Sequence, residues 1–190
     1  MKTYQKTITK NKLEINYDSN SESPRAWSNF GFFTVVSSKY NSPDDNYVEV
    51  VKNTGEVAES LEHHIELIKK EINNVLLIVP VTMYEHTGVA FSLGVKHGFD
   101  YSHNGFYIVT KESYGEIMGD TPFDEEKVLD YIKGEIETFN KWLNGEVYSF
   151  DLYDENGEIE ASCGGFYDVD DIKEHLPEGW ANEEMSNYII

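Results

Sequence analysis

Acidic residues are distributed very unevenly along this chain of 190 residues. Residues 1–111 carry 13 Asp/Glu against 11 Lys/Arg, whereas residues 112–190 carry 22 against 4, so −18 of the formal net charge of −20 lies in the last two-fifths. Carboxylates without partners are not left in a dry core, so the fold of that segment has to hold most of them on its surface. Such crowding costs self-repulsion and projects a field of one sign, where a need for solubility alone is met by a modest surface of mixed sign. The field favours a basic partner, and basic surfaces in cells are mostly built to hold nucleic acid. The same field disfavours direct binding to nucleic acid or to an anionic membrane.

The rest of the composition is that of a folded protein. Apolar residues make up 39% of the chain and aromatic residues 14%, whereas disordered acidic chains are poor in aromatics. The length is enough for a core without disulfide or metal staples. Cys163 is the single cysteine, so no intramolecular disulfide forms and a reducing interior is the simplest compartment. Residues Met1–Lys12 lack the apolar centre of a secretory signal, and the longest apolar run, Val75–Val81, is too short to cross a bilayer. A cytoplasmic protein is expected.

Periodicity predicts an α+β fold, mainly an antiparallel sheet with two main helices. Leu13, Ile15 and Tyr17 alternate with polar residues as a strand does. Gly31–Ser38, Val75–Tyr84, Val89–Leu93 and Phe106–Thr110 read as strands, with Pro80 marking an edge or bulge. Tyr47–Val51 reads as a further short strand. Val57, Leu61, Ile65, Ile68 and Ile72 form the stripe of a helix over about 56–73, with Thr54 as its cap. The second helix, about 122–144, opens with Thr121, Pro122 and Asp124 and ends at Gly145. Its buried stripe is Val128, Ile132, Ile136, Phe139 and Leu143; Glu125, Glu126, Asp130, Glu135 and Glu137 fall off it and face water or a partner.

Asn156-Gly157 between alternating runs predicts a C-terminal hairpin with a two-residue turn. That turn pairs Phe150 with Cys163, Asp151 with Ser162, Leu152 with Ala161 and Tyr153 with Glu160. Phe150, Leu152, Ala161 and Cys163 are then expected to face the core, Asp151, Tyr153 and Glu160 the other side, and Glu155 and Glu158 the tip. A short amphipathic helix is expected around Ile172–Leu176. With no convincing linker, residues 1–190 read as one domain.

Ser23-Pro24-Arg25-Ala26-Trp27-Ser28-Asn29-Phe30-Gly31 resembles the S-P-R-x-W-D-N-x-G opening block of an uncharacterised bacteriophage protein family from phages of Gram-positive hosts. Pro80–Ser92, Gly105–Glu112, Glu135–Asp151 and Ser162–Tyr167 resemble later segments of that family in the same order, so the resemblance spans roughly residues 12–168. It implies a phage-encoded protein acting in the host cytoplasm during infection. The chain departs from the pattern at Ser28, where the family has Asp, and across Gly94–Asn104.

Candidate functional residues follow from both readings. Carboxylates two apart on a strand lie about 6.7 Å apart, close to two phosphate steps of about 3.4 Å along one duplex strand. A surface of Glu125, Glu126, Asp130, Glu137, Asp151, Asp154, Glu155, Glu158 and Glu160 therefore has the pitch to imitate a phosphate array. The expected function is a non-catalytic acidic protein that binds and inhibits a basic, nucleic-acid-binding host protein, as a DNA mimic or an antirestriction or anti-CRISPR-like factor. A homodimer is one way to lengthen such a surface. Arg25, the only arginine, beside Trp27, reads either as an anion site or as a structural ion-pair centre.

The alternative is a metal-dependent enzyme or an accessory factor of phage DNA metabolism using the loop of His86, His97 and His103 with Glu85 and Asp100. These spacings match no zinc pattern, and the Asp154–Glu158 and Asp168–Asp171 runs lack the ligand order of an EF-hand. No catalytic residue, metal or cofactor is assigned on sequence grounds.

Overall fold

The computed structural model describes residues 12–86 and 88–190. It is an α+β protein with two antiparallel sheets. Where the sequence reads as a single domain, the contacts gather into two compact units, residues 12–22 with 145–190, and Ser23–Asn144. Two segments far apart in sequence thus make up the smaller unit. Its borders therefore fall at a turn and at a helix end, with no linker composition to mark them.

The larger unit is built on a sheet of order β2-β5-β3-β4, formed by Phe32–Val35, Tyr101–Thr110, Val75–Glu85 and Val89–Leu93. From Gly105 to Thr110 strand β5 is buried on both sides, and its side chains alternate between two cores as the pleat dictates. Tyr107 and Val109 join Phe33, Phe91 and the stripe Val128, Ile132, Ile136 and Phe139 of helix α4, Glu125–Leu143. Phe106 and Ile108 join Val51 and Ile68 of helices α1 (Val48–Val57) and α2 (Leu61–Glu71) on the opposite face. A further helix, α3 (Lys111–Met118), follows β5 directly, capped by Thr110 in a reciprocal pair with Ser113.

Several expectations are corrected here. Tyr47–Val51 is no strand; residues 48–57 form α1, because the β-branched run that looks strand-like places Val51 against Ile68 and Phe106 at helical spacing. The helix expected over 56–73 is shorter and begins at Leu61, capped by Ser60, whose side chain accepts from the His63 amide. Thr54 lies inside α1, its hydroxyl donating to the Val50 and Val51 carbonyls. Val57, placed on the buried stripe by sequence, is 65% exposed. Pro80 sits where β4 begins its pairing with β3 at Val81, and its carbonyl accepts from Gly94 N–H at 2.7 Å. The second helix starts three residues later than expected, with Asp124 as the cap, and Leu143 at its end is exposed.

The smaller unit carries a sheet of order β1-β6-β7, from Lys12–Tyr17, Tyr148–Tyr153 and Ile159–Phe166. Leu13, Ile15, Phe150, Leu152 and Phe166 pack on Ile172, Trp180 and Met185 from a series of 3-10 turns. The predicted register holds for Phe150 with Cys163, Asp151 with Ser162 and Leu152 with Ala161. It then slips: Tyr153 pairs with Ile159, which leaves Glu160 as the extra residue of a bulge and widens the turn to Asp154–Glu158. Cys163, expected in the core, is exposed. Its parity is as predicted, but it lies on the outermost strand, beyond the cover of the packed 3-10 turns.

Gly31 fixes how closely the residue 23–31 loop approaches the larger sheet. A Cβ there would stand 2.3 Å from the Ile108 carbonyl oxygen, so backbone lies on backbone. Gly31→Ala is expected to lower the unfolding free energy by about 1–3 kcal/mol, as overpacking does. A urea titration with an unchanged midpoint would contradict that approach.

Candidate functional site

Arg25 lies in the short 3-10 turn Pro24–Ala26, and its side chain is 5% exposed. All five of its N–H donors find acceptors. Nε and Nη2 form a fork on Asp44, at 3.1 and 2.7 Å; Nη1 donates to Asn29 Oδ1 at 2.9 Å and Glu135 Oε2 at 3.1 Å; Nη2 also donates to the Gly31 carbonyl at 2.8 Å. The guanidinium carbon lies 5.5 Å from the centre of the Tyr107 ring. The carboxylates are equally engaged. Glu135 accepts from the Phe30 amide at 2.9 Å and from the Tyr107 hydroxyl, and Asp44 accepts from the Phe33 amide at 2.6 Å. Gly31 N–H completes the ring of bonds by donating to the Tyr107 oxygen at 3.1 Å.

Electrostatics follow from that geometry. Burial works to lower the Arg25 pKa, but the Asp44 carboxylate and the neighbouring phenol reverse this and hold it above its usual value. Burial and the Glu135 charge push the Tyr107 phenol well above its usual range. With every donor accepted, the guanidinium has none to offer an added anion, so this is the structural ion-pair centre of the two readings. Trp27, at 50% exposure, holds the loop through its backbone: its carbonyl accepts from Asn29 Nδ2 at 2.7 Å. The acceptors come from positions 29, 31, 44 and 135, so the cluster is complete with Ser28 in place of the family's Asp. Glu135, expected at the surface, is turned inward because the second helix supplies the second carboxylate of this centre.

The acidic candidates divide between the two units. Glu125, Glu126 and Asp130 are exposed on α4. Glu137, also exposed, lies 4.0 Å from Lys133 on the next turn. Asp151 is half-buried on the central strand β6, paired with Glu14 and Ser162 on either side. Glu155, Glu158 and Glu160 are exposed around the hairpin tip. Asp154 is occupied by its own turn: its side chain accepts from the Asn156 and Glu158 amides, both at 2.8 Å. Charge is far denser on one unit. Residues 12–22 and 145–190 hold 16 Asp/Glu against 2 Lys, a net of −14, whereas 23–144 hold 19 against 10 basic residues, a net of −9; with the three lysines of residues 1–11 these account for the total of −20.

The histidine loop does not assemble a centre. Among the described residues no group of three or more His, Cys, Asp or Glu is gathered to hold a metal ion. Glu85 pairs with Lys39, His103 contacts Thr82 Oγ1 at 3.2 Å, and the His97 and His103 rings are 6.0 Å apart. A cleft of about 590 Å³ between β4, the end of α4 and the residue 40–43 loop is walled by Phe91, Phe139 and Trp142. Its dimensions are those of a small-molecule site, and sequence patterning gave no signal for it because its walls come from three separated segments. Among the described residues, no helix is long and apolar enough to cross a membrane. Compared with protein-family models, curated proteins and solved structures, the chain matches none.

Removing Arg25 strands two partly buried carboxylates. Arg25→Ala is expected to destabilise the protein by about 3–5 kcal/mol, as breaking a buried pair does. Arg25→Lys recovers only part, since an ammonium has three donors for five acceptors. Urea unfolding of both variants checks this, and a loss below about 1 kcal/mol for Arg25→Ala refutes it.

The backbone bond from Glu158, then those of Asn156, hold the Asp154 carboxyl below the usual aspartate range. Its contribution to the turn is therefore fully present above the ordinary aspartate pKa and is lost as pH falls through the depressed folded value. The protection of the Asn156 and Glu158 amides, relative to their intrinsic exchange at each pH, should fall only below the ordinary aspartate pKa, and in Asp154→Asn this fall should disappear.

Proposed function

We propose that this is a phage-encoded, non-catalytic acidic protein that binds a basic, nucleic-acid-handling protein of the host and inhibits it. The observation that carries the reading is the concentration of charge on the smaller unit, a net of −14 over residues 12–22 and 145–190. A unit of that size has no folding need for so many unbalanced carboxylates, and self-repulsion works against its compactness. Such a field steers a cationic cleft toward it and speeds encounter, at the expense of sensitivity to salt.

The mixed charge of α4 supports the hairpin over the helix as the docking element. On α4, Lys127 lies 3.6 Å from Asp124 and Lys133 pairs with Glu137. The hairpin from Tyr148 to Phe166 contains no lysine or arginine. Binding is thus assigned to Glu155, Glu158 and Glu160, with Asp151 and Asp154 behind them, and only secondarily to Glu125, Glu126, Asp130 and Glu137. The resemblance to a phage family supports the host cytoplasm as the place of action.

The test is capture of host proteins at low and high salt, followed by two charge-reversal variants. Glu155, Glu158 and Glu160 changed together to Lys should slow association with the captured partner by about tenfold or more, the scale of electrostatic steering. Glu125, Glu126 and Asp130 changed to Lys should have a smaller effect. A partner bound equally well by both variants and at high salt would sink the reading.

A further inference from the structure

A sheet edge offers unpaired backbone groups to any extended chain that fits, and folded proteins cover, charge or distort such edges. Among the described residues, three of the four sheet edges are covered. On β4, Asn140 from α4 takes the place of a neighbouring strand: its Oδ1 accepts from Phe91 N–H and its Nδ2 donates to the Phe91 carbonyl, both at 2.8 Å. On β2, Asp44 does the same for Phe33, accepting its N–H at 2.6 Å and donating its own N–H to its carbonyl at 3.0 Å, while Ser42 Oγ accepts from Val35 N–H. On β1, the C-terminal residues close the edge: Ile189 bridges Ile15 and Ile190 N–H donates to the Ile15 carbonyl at 3.0 Å.

Strand β7 is the exception. It pairs with β6 on one side, and among the described residues no strand pairs with the other. Six of its eight residues, all but Ala161 and Phe166, are exposed. Bulges lie at both of its ends, at Glu160 and at Gly165, whose N–H donates to Asp18 at 3.1 Å, which leaves only Ala161–Gly164 as a regular stretch between. It has neither the lysine nor the proline that blunts an edge.

We infer that the outer edge of β7 is a docking strand for a lysine- or arginine-bearing extended segment of a partner protein, which adds to the smaller sheet as a fourth strand. The choice of partner rests on the charge-steered binding proposed above. Acids flank the edge at both ends, with Glu158 and Glu160 before it and Asp168, Asp170 and Asp171 after it. Eight residues of strand span about 26 Å, so a cationic segment reaches both groups while its backbone completes the ladder. A second copy of this chain would bring the same acids against each other, which like charges across a strand pair oppose.

The experiment uses the full chain and two synthetic peptides of alternating Lys and Val, ten residues long. They are identical except that one carries N-methyl groups on alternate residues, so its charge is kept and its ladder bonds are lost. Backbone amide exchange and titration by NMR are the readouts. The unmodified peptide should slow exchange at those amides of residues 161–164 that point away from β6, and bind at least tenfold more tightly than the methylated one. Equal binding of both peptides, abolished by salt, overturns strand addition while leaving charge-steered binding intact. Binding of neither overturns both. A chain that sediments as a dimer and protects, without peptide, those amides of residues 161–164 that point away from β6 assigns the edge to a second copy and overturns the inference; protection of the same amides in the monomer that is lost on deleting residues 1–11 assigns it to the chain's own amino terminus and does the same.

Discussion

Within the larger unit, a single guanidinium ties together segments that have no regular structure of their own. Arg25 joins its own turn, the Asn29–Gly31 loop, the Asp44 loop, β5 through Tyr107 and α4 through Glu135. Burying a charge is unfavourable unless it is paired and hydrogen-bonded, and here that requirement is met in full, with five donors on five acceptors. The consequence is positional rather than a large gain in stability. Asp44 is held where it can also cover the β2 edge, and α4 is held in the register that puts Asn140 on the β4 edge. One ion-pair centre thereby sets both loop placement and the closure of the larger sheet.

The two units use their charges differently. In the larger one, carboxylates are spent on structure: Glu135 and Asp44 on Arg25, Asp124 as a helix cap, Glu137 and Glu85 on lysines. In the smaller one lysines are nearly absent, and the carboxylates are divided between the exposed hairpin and the 3-10 turns that follow it. The difference in net charge is what directs the proposed binding to the smaller unit, at −14 over residues 12–22 and 145–190 against −9 over the twice longer 23–144. An edge strand in the midst of that field gives a basic partner backbone groups to bind as well as charges to approach.

Regular elements with a strong period were legible from the residues. The stripe Val128, Ile132, Ile136 and Phe139, the strands around Leu13 and Ile15 and around Phe106–Thr110, and three pairs of the hairpin register all follow from side-chain spacing. Tyr47–Val51 was misread because β-branched residues look alike in a strand and in a helix that packs one face, and only Ile68 and Phe106, distant in sequence, decide between them. Glu135 was misplaced because a carboxylate off the apolar stripe is assigned to water unless a buried cation is known to stand opposite. Cys163 was misplaced because parity tells which side of a sheet a residue is on, not whether anything covers it.

The sequence by itself determined the α+β class, the antiparallel hairpin and the excess of acid toward the C terminus, since these depend on local spacing and on counting. Tertiary structure alone decided that residues 12–22 and 145–190 form one unit, that Arg25 is enclosed rather than offered to a ligand, and which sheet edge no described strand covers. Each of these depends on which distant segments meet. Local pattern carries no record of that, because a side chain's partners across the fold are chosen by the packing of the whole unit.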